Sequence, residues 1–257
     1  METTPWRPPR LWRVLQFLAR GAVAPLARLR VTGDLPVDAN AGPLILAANH
    51  ISNFDPVVLA AATAVRRVAP RFMATGGLFR APMVGAVMRA CGHIRVDRRT
   101  ANVARALDDA KAALAQRSVV LLYPEGRIGL DPEMWPERGK TGAARMALAS
   151  GATVIPVAQW GSHEVLPYST AVRPLLRGVA RALRHRPVVR VHFGAPVDLS
   201  GLRENAPGHA QRATERIIDA LTDTLAPLRA DEPDQPRYVD PTRPTSTERR
   251  HRRAAAP

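Results

Sequence analysis

Two side chains able to do proton-transfer chemistry stand five positions apart, His50 and Asp55, where a short apolar run meets the start of a helix. Residues 43–48, Pro-Leu-Ile-Leu-Ala-Ala, have the length of a buried strand. Asn49 and His50 follow, then Ser52 and Asn53 as candidate N-caps, with Asp55 and Pro56 in the first helical turn. Within one continuous helix, residues five apart point about 140° away from each other. His50 and Asp55 therefore meet only if the helix begins between them, where the start signals fall. A neutral imidazole can accept a proton near pH 7, and a carboxylate beside it fixes the tautomer and stabilises the imidazolium. The same spacing also suits a loop histidine beside an ordinary first-turn acid, and spacing alone leaves both readings open.

The elements that would hold this pair can be read along the chain. Strands are expected at 28–33, 43–48, 71–75, 92–98, 118–123, 153–158 and 188–193. Helices are expected at 56–65, 78–90 (with Pro82 early), 101–116, 139–150 (stopped by Gly151) and 210–228. Strands alternating with helices imply an α/β fold, a single domain whose largely parallel or mixed sheet is flanked by helices. Ligands in such sheets sit at the carboxyl ends of strands, which is where His50, Arg98 and residues 125–127 fall.

Residues 8–27 form an amphipathic segment with Leu11, Val14, Leu15, Leu18 and Ala22 on one face and Arg13, Gln16 and Arg20 opposite. Trp12 and Phe17 flank the stripe. The pattern suits a helix lying in a membrane interface and equally a helix packed on the core. A second candidate, 174–184, stacks Arg173, Arg177, Arg181 and Arg184 on one side. From residue 231 the composition turns to Pro, Thr, Asp and Arg, which reads as a disordered tail with a basic end. The organisation expected is a membrane-associating segment at 1–27, a catalytic domain at 28–230 and a tail at 231–257.

With 37 Lys and Arg against 22 Asp and Glu, the net charge of +15 calls for an anionic partner. Cys91 is the only cysteine, which excludes an internal disulfide framework and fits a reducing compartment. The arginine-broken N-terminal region lacks signal-peptide character, and no segment has the roughly 20 apolar residues of a spanning helix. Only 5% aromatic residues, without a nucleic-acid-binding module, argue against a nucleic-acid partner. No Gly-x-Ser-x-Gly elbow supports a serine hydrolase, and the intact histidine–aspartate pair speaks against an inert binding protein.

Four motifs, in order, resemble those of the glycerolipid acyltransferases typified by 1-acylglycerol-3-phosphate acyltransferase. Asn49-His-Ile-Ser-Asn-Phe-Asp55 is similar to the family's Asn-His-x-x-x-x-Asp. Gly92-His-Ile-Arg-Val-Asp-Arg98 is similar to its Gly-x-Ile-x-Ile-Asp-Arg. Tyr123-Pro-Glu-Gly-Arg-Ile-Gly129 stands against Phe-Pro-Glu-Gly-Thr-Arg-Ser, and Pro156 sits in a short apolar strand as in the fourth motif. The resemblance covers about residues 28–200. It implies a glycerol-3-phosphate acyltransferase-like fold and transfer of a fatty acyl group from acyl-CoA or acyl carrier protein to a lysophospholipid hydroxyl. By the same resemblance His50 and Asp55 act as general base and orienter, and Arg98, Glu125, Gly126 and Arg127 line the acceptor site. Glu125 could instead position its loop. No metal or bound cofactor is implied, and a peripheral location on the cytoplasmic face of the cell membrane is expected. The third motif departs from the pattern, because Ile128 occupies the arginine position. Arg127, Arg138 or Lys140 are the cations available to replace it.

Overall fold

The computed structural model describes residues 5–36, 43–97, 102–232 and 242. Its centre is a strand that could be buried on both faces because every residue in it is apolar: β2, Leu44–Ala48, fully buried. Around it lie β1 (Arg28–Thr32), β3 (Arg71–Thr75), β4 (Ile94–Val96), β5 (Val119–Leu122), β6 (Thr153–Trp160) and β7 (Val188–Phe193), in the order β1-β7-β6-β2-β5-β3-β4. Strands β6, β2, β5, β3 and β4 run parallel, while β7 pairs antiparallel with β6 and carries β1 beside it. The sheet is mixed, with a parallel block that puts the carboxyl ends of β2, β3, β4, β5 and β6 along one edge.

Eight α-helices occur among the described residues: α1 (Arg10–Leu26), α2 (Asp55–Val65), α3 (Gly76–Arg80), α4 (Pro82–Ala90), α5 (Asn102–Ala115), α6 (Gly142–Ser150), α7 (Val172–His185) and α8 (His209–Leu225). Side chains alternate across a strand, and β2 divides accordingly. Leu44, Leu46 and Ala48 enter a core with Trp12, Val23, Val58, Leu59 and Ala182 of α1, α2 and α7. Ile45 and Ala47 enter a second core with Ala110, Leu114, Met146 and Ile217 of α5, α6 and α8. Two helical layers sandwich the sheet.

Several expectations shift. The helix expected over 78–90 is two helices, broken at Ala81, whose backbone is extended (φ −65°, ψ 124°) because a residue before proline is pushed out of the helical region. Gln16 is not on an outward polar face. It is buried in the α1–α2 seam, donating to Thr63 Oγ1 at 3.0 Å and to the Val68 carbonyl at 2.9 Å. Trp12 does not flank the outer stripe but sits in the core, its indole donating to Pro70 O at 3.1 Å. The outward face of α1 instead shows Leu11, Val14, Phe17 and Leu18. The helix expected from 139 begins at Gly142, and α8 gives way at Ala226 to a 3-10 turn containing Pro227. Strand β6 extends two residues past Ala158 to Trp160. Apart from Thr242, the tail from residue 233 on lies outside the described residues.

Candidate active site

Past Ala48 the chain leaves β2 and α2 begins at Asp55, so His50 lies in the connecting loop while Asp55 opens the helix. The His50 Nδ1–Asp55 Oδ2 distance is 2.7 Å. Asp55 is fully buried, and the His50 side chain is 15% exposed. The caps expected at Ser52 and Asn53 are replaced by a different arrangement, since the residue preceding the helix is Phe54. Asp55 folds back on the loop, its Oδ2 accepting the Ile51 and Ser52 amides at 2.6 and 2.9 Å. Its Oδ1 accepts the Ser162 hydroxyl at 2.5 Å. The Ile51 and Ser52 amides can only donate, so Oδ2 is fixed as an acceptor beside His50 Nδ1. With Nδ1–H directed at Asp55, Nε2 keeps the lone pair that a general base needs.

Three further groups fix the loop. Asn49 exchanges hydrogen bonds with the Gln159 backbone, receiving Gln159 N at 2.8 Å and donating to Gln159 O at 2.9 Å, while the Gln159 side chain donates to Asn49 O at 2.7 Å. This ties the ends of β2 and β6 together. Ser52 Oγ donates to Leu166 O, and Asn53 to Pro167 O and Tyr168 O. Beneath the imidazole, Tyr123 stacks with ring centroids 3.9 Å apart and planes 12° from parallel. Burial, then the charge of Asp55, pushes its phenol well above the ordinary range, so it stays neutral.

Glu125 is buried and faces backbone. Oε1 accepts His50 N at 3.3 Å, and Oε2 accepts Glu137 N at 3.2 Å. Gly129 N donates to His50 O at 2.8 Å, so the 123–129 loop holds both sides of the His50 peptide. Burial raises the Glu125 carboxyl to about 8, opposed by its two backbone hydrogen bonds and reinforced by Glu137 and Asp55. Gly126 has φ 71°, which closes the turn that returns its amide to Tyr123 O, and the Lys140 stem lies over it. Arg127 reaches Glu137 Oε2 at 2.7 Å. Arg138 and Lys140 are exposed nearby. Arg98 lies outside the described residues, just past Asp97 at the end of β4.

The structure thus brings His50, Asp55, Glu125 and Gly126 together at one strand edge, with Arg127 turned toward Glu137. Sequence reasoning missed Ser162, Gln159 and Glu137, whose contacts come from loops no local pattern connects to His50. It also passed over what Tyr123 does. Beside His50 opens a cleft of about 340 Å³, walled by Trp12, Leu15, Val57, Phe72, Leu78 and Tyr123. Its lining is mostly apolar, which suits a hydrocarbon chain.

Comparison with known proteins bears on this arrangement. The chain is 33% identical over 144 residues to a 1-acyl-sn-glycerol-3-phosphate acyltransferase of Salmonella typhimurium, covering 53% of this chain and 55% of that protein. It is 29% identical over 232 residues to an uncharacterised protein of Mycobacterium leprae, covering 79% of this chain and 60% of that one. The chain therefore spans about half to three fifths of the length of these curated relatives. Its fold is similar to the crystal structure of PlsC, the 1-acyl-sn-glycerophosphate acyltransferase of Thermotoga maritima, with a TM-score of 0.64 at 19% identity over 87% of this chain and 81% of that one. The model of the family described as Acyltransferase matches residues 28–160, from β1 through β6 and so across His50, Asp55 and the 123–129 loop, and the chain belongs to that family.

Proposed function

We propose that the protein transfers a fatty acyl group from a thioester, acyl-CoA or acyl carrier protein, to the free hydroxyl of a lysophospholipid, forming phosphatidic acid from 1-acyl-sn-glycerol 3-phosphate. The observation that carries this reading is the His50–Asp55 pair, held at 2.7 Å, at the wall of an apolar cleft. His50 Nε2 takes the proton of the acceptor hydroxyl as its oxygen attacks the thioester carbonyl. Asp55 keeps the ring oriented and stabilises the imidazolium. The tetrahedral intermediate collapses, the carbon–sulfur bond breaks, and the imidazolium returns its proton to the departing thiolate. The apolar cleft suits an acyl chain, and Leu78, Met83, Val84 and Val87 of α3 and α4 together with Leu11, Val14 and Leu18 of α1 leave exposed apolar surface on the helices that line it.

The acceptor phosphate is best matched by guanidinium and ammonium groups, which donate several hydrogen bonds to one anion. Arg138 and Lys140, exposed near the 123–129 loop, are candidates, as is Arg98 by its place in the second motif, with Arg127 available if it exchanges Glu137 for phosphate. A second reading keeps the chemistry and changes the acceptor to glycerol 3-phosphate, a glycolipid or an amino-acid lipid. The engagement of Arg127 by Glu137, together with Ile128 at the arginine position, favours the two that need no phosphate site. No described helix is long and apolar enough to cross a membrane. The basic charge and a single buried cysteine support peripheral attachment at the cytoplasmic face.

The test is acyl transfer from palmitoyl- or oleoyl-CoA to lysophosphatidic acid in detergent. Wild type forms phosphatidic acid, and His50→Ala loses about 10²–10⁴ in rate. Near-normal transfer by the variant would sink the mechanism. Active wild type that ignores lysophosphatidic acid but acylates another lipid would move the reading to the second acceptor class.

A further inference from the structure

Helix α7 has a pattern that the catalytic reading leaves unused. Its buried residues are Gly178 and Ala182, with Leu175 and Val179 half-buried, and Gly178 lies so close to Val165 O that a Cβ would stand 2.7 Å from it. Val172, Leu176 and Leu183, at 70, 64 and 53% exposure, stand on one stripe along the helix, turned about 120° from Gly178 and Ala182. Arg173, Arg177 and Arg184, all exposed, each follow one of these residues by one position, about 100° round the axis. An apolar stripe flanked along its length by arginines is the pattern of a helix lying in a lipid interface.

The charge distribution of the whole molecule extends this. Helices α1, α4 and α7 contain no Asp or Glu, whereas α5 and α8, on the other side of the sheet, carry Asp108, Asp109, Glu215, Asp219 and Asp223. Helix α7 also joins α1 physically, since Arg186, which ends α7, donates to the Ala24 carbonyl at 2.8 Å. The exposed apolar residues of α1 and α7 thus stand on two adjoining helices that carry no acidic residue.

We infer that α7 is a docking surface for an anionic phospholipid bilayer, acting beside α1. This rests on the proposal that the substrates are membrane lipids, and it adds which surface meets the membrane and which lipid charge it requires. Leu176 and Leu183 enter the headgroup–acyl boundary, and the arginines pair with phosphate or other anionic headgroups. The apolar stripe running beside the arginines favours a bilayer over an acidic protein partner, for which the charges alone would serve.

The experiment is flotation of the full chain with vesicles of phosphatidylcholine alone and of phosphatidylcholine mixed with phosphatidylglycerol, at low salt. Each basic residue near an anionic surface contributes about 1 kcal/mol. Replacing Arg173, Arg177 and Arg184 by Gln together should therefore lower partitioning onto the anionic vesicles on the order of 100-fold. Binding to neutral vesicles and transfer to detergent-dispersed acceptor stay unchanged. Leu176→Ser with Leu183→Ser should weaken binding to both vesicle types. Because all five residues are exposed, the melting curve of each variant should match wild type. Equal partitioning of the triple-Gln variant and wild type overturns the inference. So does intact vesicle binding with selective loss of transfer from acyl carrier protein, which would assign α7 to an acidic protein. Loss of a wild-type dimer without loss of vesicle binding would assign it to a second copy. Wild type that binds anionic vesicles through α7 yet transfers no acyl group defeats the catalytic proposal alone.

Discussion

Asp55 accepts from four donors drawn from His50, two loop amides and Ser162, so its substitution reaches beyond one hydrogen bond. In Asp55→Asn an amide nitrogen at the Oδ2 position confronts the Ile51 and Ser52 amides and the His50 ring, and turned toward Ser162 it leaves His50 a neutral oxygen that stabilises the imidazolium less than a carboxylate does. We expect kcat to fall about 10²–10⁴-fold, with KM for the acceptor little changed, measured on the purified variant. Glu125 gives a pH signature. Its carboxyl is raised from 4.5 to about 8 on folding. Between those values the folded chain holds a proton that the unfolded chain has released, so this group makes stability fall as pH rises from about 4.5 to 8. Glu125→Gln should lose about 1–3 kcal/mol, because one of its two backbone N–H partners then faces an NH₂ group. Its melting temperature should also decline less steeply than wild type across that pH window. Equal slopes would mean that Glu125 is ionised in the folded protein.

The pairing of His50 with Asp55 was legible because both partners and the helix start lie within six residues, and local backbone geometry decides whether they meet. Glu125 was legible as part of a motif but not in its contacts, since its partner amide at His50 is 75 positions away. Gln16 shows how the pattern of polar residues misleads at the level of the element: periodicity counts an amide as outward, yet Thr63 and Val68 satisfy it inside. The break between α3 and α4 was readable in principle, from Ala81 preceding Pro82. Its consequence was not, because it depends on Gly85. A Cβ at Gly85 would stand 2.1 Å from the Phe79 carbonyl oxygen. Gly85→Ala should therefore force α4 away from α3, costing about 1–3 kcal/mol in thermal unfolding and widening the cleft lined by Leu78 and Met88.

At the scale of the whole molecule, alternating strands and helices gave the α/β class, and the order of the sheet explains why one edge collects the motifs. Strand β2 is flanked by β5 and β6 in parallel register, so Asn49, Tyr123 and Gln159 emerge side by side although they lie up to 110 positions apart. The antiparallel β6–β7 pair was beyond periodicity, because strand direction is set by long connections rather than by composition. The charge asymmetry across the sheet was equally hidden, for it needs the helices assigned to faces. Raising ionic strength to about 0.1 M shortens the screening length to about 10 Å, so wild-type binding to anionic vesicles should weaken with added salt while binding to neutral vesicles does not. The Trp12 and Gln16 hydrogen bonds to Pro70, Thr63 and Val68 have a kinetic meaning as well. They fasten α1 to the core on the side away from its exposed leucines, so in the docking proposed above α1 would reach the bilayer already folded. Hydrogen exchange of the α1 amides should be as slow in free protein as on vesicles, and attachment and release should be fast and reversible, letting one molecule visit many patches of membrane between turnovers.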